Sequence, residues 1–121
     1  MVFHRKESPL IIKSEVYSQR ITLLYRYLLN VRKEDVISKH IYRSGTSIGA
    51  NIAEGQYAQS KADFVNKLSI ALKEAGETEY WLKNLFHTGL IDEKGFNSML
   101  KDNTELVKML ISSIKTMKKQ L

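Results

Sequence analysis

Apolar residues recur every three or four positions along four stretches of this chain, which is the period of one face of a helix. Ile21, Leu28 and Val31 share a face in the first stretch, Leu68 and Leu82 share one in the third, and Leu100 and Val107 share one in the fourth. Polar segments of a few residues separate the stretches. The pattern predicts four α-helices, over residues 9–31, 35–54, 61–88 and 93–119.

Residues that start or stop helices stand at these boundaries. Ser60, with an acid three residues later, forms a capping box, and Asp92 is the expected N-cap of the fourth helix. Gly55 is expected to take a left-handed turn just past the second helix, and Gly89 is expected to end the third. Because the connections are short, neighbouring helices should be antiparallel. The sequence therefore predicts an all-α, up-down-up-down antiparallel four-helix bundle that forms a single domain over residues 1–121.

The second predicted helix contains a run of small residues between Arg43 and Gly55. Gly45 and Gly49 lie four residues apart, so they line one side of the helix. Each glycine costs about 1 kcal/mol in a helix relative to alanine, and we expect another helix to approach the backbone closely there. A ligand site is the alternative. The polar residues expected to hydrogen-bond across this contact are Ser44, Ser47 and Asn51.

Charged residues on the second and third helices are expected to pair. An antiparallel hairpin between these helices places Arg43 near Glu74 and Lys39 near Glu77. The carboxylate of Glu54 is expected to take part in the same structural pairing. We expect a partly buried network, while an exposed pair, which contributes only about 0–1 kcal/mol, is the alternative.

Composition narrows the class of protein. The 121 residues are 43% hydrophobic, which is enough to build a core, and they include no cysteine. Disulfides and thiolate zinc sites are therefore excluded, and a reducing cytoplasm is the expected location. No apolar run approaches the roughly 20 residues that span a bilayer, so no membrane association is expected. The net charge of +6 makes a polyanion a candidate partner, and charge for solubility alone is the alternative.

Lysines on the fourth predicted helix repeat every seven residues, which returns each to within about 20° of the same face. They are Lys94, Lys101, Lys108 and Lys115. Lys6, Lys13 and Arg20 repeat the spacing near the first helix. Such a stripe is suited to contacting nucleic-acid phosphates without reading bases, and a solvated lysine face is the alternative.

Two adjacent aromatic residues, Tyr80 and Trp81, point to different sides of the third predicted helix. One of them is expected to contact a partner subunit in an oligomer, and a place in the core is the other structural role that such residues take. Stacking on nucleic-acid bases is the less favoured alternative for these side chains.

No catalytic signature is present in the sequence. Di-iron bundles need Glu-x-x-His on two helices, which does not occur here, and His4, His40 and His87 lie on separate segments. Ser44 and Ser47 have no base partner at a readable spacing. We therefore expect no enzymatic activity, no metal and no cofactor.

The residues at 42–55, 71–75 and 77–82, together with the Lys67-Leu68 pair, resemble one family closely. They are similar to the four-helix bundle proteins encoded in intervening sequences of bacterial 23S rRNA genes. The resemblance implies a ring-shaped homopentamer and a relationship to the accessory proteins of diversity-generating retroelements, which act with a reverse transcriptase and nucleic acid. It implies no enzymatic activity.

Two functional hypotheses follow. The first is a non-enzymatic, homo-oligomeric bundle that binds nucleic acid, expected to be RNA, through basic surfaces and with little sequence specificity. The second is a protein-interaction scaffold or an accessory subunit for a reverse transcriptase or another polypeptide.

Overall fold

Four α-helices make up the fold in the computed structural model, which describes residues 8–121. They are α1 Pro9–Asn30, α2 Ile37–Gly55, α3 Lys61–His87 and α4 Glu93–Lys118. Each helix packs against the next in the chain, and α4 closes the bundle against α1. No strand occurs within the described range. The predicted all-α, up-down-up-down antiparallel four-helix bundle is confirmed.

The caps of α3 and α4 follow the expected chemistry. The Ser60 hydroxyl oxygen accepts the backbone N–H of Asp63 at 3.0 Å, and the Asp92 carboxylate accepts that of Gly95 at 2.7 Å. Gly89 follows α3 with a φ of +79°, in the left-handed region that glycine adopts without strain. Both caps satisfy donors that a helix start leaves unpaired.

The start of α2 is capped from outside the helix. The Glu34 carboxylate accepts the backbone N–H groups of Val36, Ile37 and Ser38 at 3.1, 3.0 and 2.8 Å. Burial raises the pKa of Glu34, but these three donors outweigh that effect and leave the pKa lowered. The helix therefore begins at Ile37, two residues later than predicted, because the carboxylate occupies the end of the helix.

The expected role of Gly55 is wrong. This residue is the last of α2, and its φ is not positive. A Cβ added there would lie 3.2 Å from the ring of Phe64 on α3. The glycine therefore makes room for a neighbouring helix rather than for a left-handed turn.

The core contains most of the predicted apolar positions, with corrections in α1 and α4. Val31 at the end of α1 is 65% exposed, because it lies past the last helical turn. In α4 the buried residues include Met99 and Leu106, while the predicted Leu100 and Val107 are only partly buried. This helix faces α1 as well as α3, so its buried face is rotated toward the line between them.

The glycines of α2 lie against α1. A Cβ built on Gly45 would lie 2.7 Å from the side chain of Ile21, and one on Gly49 would lie 3.2 Å from the backbone oxygen of Ser14. Both distances are shorter than ordinary van der Waals contact. The close approach expected of this run therefore occurs, and α1 is the helix that makes it.

The polar residues of the same run do not bridge to α1. The hydroxyls of Ser44 and Thr78 lie 3.0 Å apart and are hydrogen-bonded, which joins α2 to α3. Ser47 and Asn51 donate to the carbonyls of Arg43 and Ser47 within α2 itself. The predicted hydrogen bonds from these two across the close contact are wrong, because nearer backbone acceptors take their donors.

One buried amide joins α3 to α4. Asn103 is fully buried, and its Nδ2 donates to the backbone carbonyl of Ala75 at 2.9 Å. This bond is a specific polar contact inside an otherwise apolar interface, so it fixes how α4 lies along α3.

The glycine contact with α1 predicts opposite effects for two alanine substitutions. Gly45→Ala forces a methyl group against Ile21 and should lower the free energy of unfolding by about 1–3 kcal/mol. Gly76→Ala is the matched control, because an added Cβ there meets nothing within 4 Å. It should raise that free energy by about 1 kcal/mol. Urea unfolding followed by circular dichroism measures both, and a neutral Gly45→Ala would contradict the packing account.

Candidate nucleic-acid interface

A row of four lysines lies along the outer face of α4, and we call it the α4 lysine row. Its members are all exposed and are Lys94, Lys101, Lys108 and Lys115. Buried residues such as Leu106 and Leu110 occupy the opposite side of the helix. At 1.5 Å per residue the row is about 30 Å long. Among residues 8–121, none of its ammonium groups forms an ion pair.

The basic residues of α1 have a different role from the one expected. Lys13 lies 2.7 Å from Glu105 and 3.6 Å from Asp102, both on α4. The hydrogen bond to Glu105 raises the pKa of Lys13, against the effect of burial, and Asp102 raises it further. Arg20 donates to Asp102 at 2.6 Å and to the Ser98 hydroxyl at 2.8 Å. Both cations connect α1 to α4, so they do not extend the α4 lysine row as predicted phosphate contacts.

Two residues of the sequence argument, His4 and Lys6, lie outside the described residues. His40 and His87 are both exposed and sit on different helices. Within the part of the chain that the structure describes, no group of three or more His, Asp or Glu side chains is placed to hold a metal ion. No helix in this range is long and apolar enough to cross a membrane.

An arginine on α2 connects two carboxylates of α3. Arg43 donates to Glu74 at 2.8 Å and to Glu77 at 2.5 Å. Glu74 is only 8% exposed, whereas the Arg43 side chain is 55% exposed, so the pair is buried on one side only. The hydrogen bond from Arg43 lowers the pKa of Glu77, burial opposes it, and a hydrogen bond from Trp81 lowers it further.

Other predicted pairings in this region differ from the structure. Lys39 forms no ion pair within residues 8–121, since Arg43 holds the carboxylate of Glu77 that was assigned to it. Glu54 lies 3.5 Å from Lys67 of α3 instead of joining the Arg43 network. The forked guanidinium of Arg43 donates to two carboxylates at once, whereas the ammonium group of Lys39 is a single point charge.

Aromatic rings cluster beside this network. The ring of His40 on α2 stacks on Trp81 of α3 with centroids 4.6 Å apart and planes at 19°. Tyr80 meets Trp81 edge-on at 4.9 Å and is 61% exposed. The indole N–H donates to Glu77 at 3.3 Å, which fixes the orientation of the ring. We call His40, Tyr80 and Trp81 the aromatic cluster.

The outer side of α1 carries apolar residues that the sequence argument did not identify as exposed. They are Ile12, Val16, Leu23 and Tyr27, which are 50%, 50%, 63% and 40% exposed. We call them the α1 apolar face. Their spacing of four, seven and four residues keeps them on one side of the helix. A surface groove of about 480 Å³ between Ile12, Val16 and Met109 of α4 continues this face.

The fold and these surfaces define an all-helical bundle in which α4 carries an exposed row of lysines. The chain belongs to the 23S rRNA-intervening sequence protein family, whose model matches residues 6–112. It is also similar to a solved structure from Bacteroides thetaiotaomicron, a protein with unknown function from the S23 ribosomal protein family. That match has a TM-score of 0.87 and 56% sequence identity, and it covers 88% of this chain and 98% of the other. A comparison with curated proteins gives no match.

The Arg43 network predicts a pH-dependent effect on stability. Arg43→Met leaves the buried Glu74 carboxylate unpaired and should lower the free energy of unfolding by about 1–3 kcal/mol at neutral pH. The pKa of Glu77 is lower in the folded protein than its ordinary value of 4.5. The ionised Glu77 therefore contributes its full stabilisation to the free energy of unfolding above pH 4.5, and this stabilisation is lost as the pH falls through the folded-state pKa. The deficit should therefore narrow on acidification.

Urea unfolding at neutral and acidic pH measures this deficit. Arg26→Met is the matched control, because Arg26 is exposed and forms no ion pair within residues 8–121. A deficit for Arg43→Met that is independent of pH would contradict the assigned pairing.

Proposed function

We propose that this protein is a non-enzymatic, homo-oligomeric bundle that binds RNA through the α4 lysine row. The observation that supports the proposal is the contrast among the cations of the bundle. Arg20 and Arg43 are bound to carboxylates of neighbouring helices, whereas the four lysines of the row are exposed and unpaired among the described residues. A cation without an acidic partner is available to replace the counterions of a phosphate backbone.

The row favours contact with the backbone over recognition of bases. Its lysines are point charges on flexible stems, and they lie about 10 Å apart along the helix. No arginine lies between Lys94 and Lys115, and of the two asparagines in that stretch Asn103 is buried and only Asn97 is exposed, so the surface offers little of the bidentate pattern that reads bases. Binding of this kind has little sequence specificity and weakens steeply as salt is added.

RNA is the polyanion that the family membership favours, since the family takes its name from intervening sequences of 23S rRNA. The absence of cysteine fits a reducing compartment, and we propose the cytoplasm as the place of action. No step of this proposal needs a cofactor or a metal.

Self-association is the second part of the proposal. The α1 apolar face places four large side chains at the surface of a chain whose core is already filled. An exposed apolar face of this kind is typical of a contact between subunits. The pentameric ring that the family resemblance implies would present the α4 lysine row five times, and repeated weak contacts raise the overall affinity.

The α1 apolar face also favours a second candidate function, that of an accessory subunit for a reverse transcriptase or another polypeptide. In that case the partner polypeptide covers the α1 apolar face, and the α4 lysine row serves only to attract the partner electrostatically during association. Purified protein that stays monomeric and does not bind RNA would favour this candidate over the first.

The α4 lysine row predicts a defined change in salt dependence. Changing Lys101, Lys108 and Lys115 to Gln should weaken the binding of structured RNA at low salt. It should also reduce the slope of log K against log salt by up to about 2–3, because each lost phosphate contact removes roughly 0.7–0.9. Filter binding at rising salt measures both quantities, with circular dichroism as the check on helicity.

A variant with the same change in charge controls for net charge. It replaces Lys33, Lys61 and Lys73, which are exposed, lie off α4 and form no ion pair in residues 8–121. This variant should retain most of the slope. Equal losses in the two variants would show that net charge, and not the row, controls binding.

The α1 apolar face predicts which substitution dissociates the oligomer. Leu23→Glu places a charge in the proposed subunit contact, so the species in analytical ultracentrifugation should shift to monomer while helicity is retained. Val36→Glu is the matched control, because Val36 is 61% exposed against 63% for Leu23 and lies in the turn before α2. An oligomer that survives Leu23→Glu, or a monomeric wild type, would exclude this face as the subunit contact.

A further inference from the structure

The aromatic cluster has a fixed geometry and open ring surface. Trp81 is packed against the core and is held by its N–H bond to Glu77. His40 stacks on one side of the indole, and Tyr80 stands at nearly a right angle to it, with an interplanar angle of 80°. His40 and Tyr80 are themselves exposed. The rings therefore form an ordered surface corner, and a ring that stacks there need not first order the side chains.

The charges around the cluster are of both signs. Arg43 is shared between Glu74 and Glu77, so its one positive charge offsets part of the negative charge beside the indole. Lys39, next to His40, is exposed and forms no ion pair in the described range. A flat ring that carries a phosphate chain matches this pairing of open aromatic surface with a free ammonium group.

We propose that the aromatic cluster stacks an unpaired base of single-stranded RNA. This inference rests on the proposed function, and it adds the strand preference that the α4 lysine row does not supply. A duplex keeps its base faces covered by neighbouring pairs, whereas a single strand offers them to aromatic side chains. Stacking of this kind tolerates any base, in agreement with low sequence specificity.

The cluster lies at the same end of the bundle as the start of the α4 lysine row. His40 is in the first turn of α2, and Lys94 is in the first turn of α4. Trp81 lies six residues before the end of α3, about 9 Å along the helix. Because α2 and α4 begin where α3 ends, a strand that follows α4 to its start passes the α3–α4 turn before it reaches the cluster.

Trp81 is the only tryptophan of the chain, so its emission reports directly on this site. The test titrates the full chain at low salt with a short oligouridylate and with duplex RNA of matched length. Fluorescence anisotropy of labelled RNA measures binding, and tryptophan emission measures stacking. We expect the oligouridylate to quench Trp81 with the same midpoint as its anisotropy, and the duplex to bind without quenching.

Substitutions separate the cluster from the lysines. Tyr80→Ala should weaken binding of the oligouridylate by about fivefold or more and leave binding of the duplex unchanged. Tyr57→Ala is the matched control, because Tyr57 is 78% exposed and lies in the α2–α3 turn at the other end of the bundle. It should change neither affinity.

The outcomes distinguish this inference from the function on which it rests. Binding of the oligouridylate with unchanged Trp81 emission would overturn the base site and leave the α4 lysine row intact. Failure of both RNAs to bind would overturn both proposals. Emission that changes with protein dilution in the absence of RNA would assign the cluster to a contact between subunits and overturn its role in stacking.

Discussion

The close approach of α1 to α2 is the contact on which the bundle depends. At Gly45 the side chain of Ile21 fills the place of a Cβ, and at Gly49 the backbone of Ser14 comes within 3.2 Å of that place. Two glycines lower the intrinsic stability of α2, so α2 relies on packing to remain helical. Another side of α2 presents Ser44 and Arg43 to α3, where Thr78 donates to the Ser44 hydroxyl and Glu74 accepts from Arg43.

Some of the cations form ion pairs between neighbouring helices, and others remain unpaired among the described residues. The seam between α1 and α4 is the most lightly packed of the four, and Lys13 and Arg20 cross it to reach Asp102 and other polar groups of α4. Arg43 serves the same purpose between α2 and α3. The lysines on the outer side of α4 are exposed and form no ion pair within residues 8–121, so they remain accessible to other charged groups. The basic surface of the protein thus consists of the cations that take no part in ion pairs between its helices.

Much of this fold was predictable from periodicity, and the failures have identifiable causes. Most of the buried face of α3 was predicted from its helical spacing of apolar residues, and the structure adds Val65 and Glu74 to it. The buried faces of α1 and α4 were harder to predict from the sequence. Helix α1 carries apolar residues on two sides, and α4 packs against both α1 and α3, so its buried face is rotated from the predicted one. Arg43–Glu74 followed from the register of a hairpin, but Arg20–Asp102 joins residues 82 positions apart and depends on bundle closure. The stacking of His40 on Trp81 likewise depends on three-dimensional placement.

The buried amide of Asn103 has a consequence for the outer surface of the same helix. Sliding α4 by one turn, about 5.4 Å, would remove its bond to the Ala75 carbonyl and leave a polar group among aliphatic side chains. That penalty opposes a lengthwise shift of α4, as do the ion pairs of Lys13 and Arg20 with Asp102. The Asn103 amide therefore helps to set the distance between Lys94, the first lysine of α4, and the aromatic cluster at the same end of the bundle.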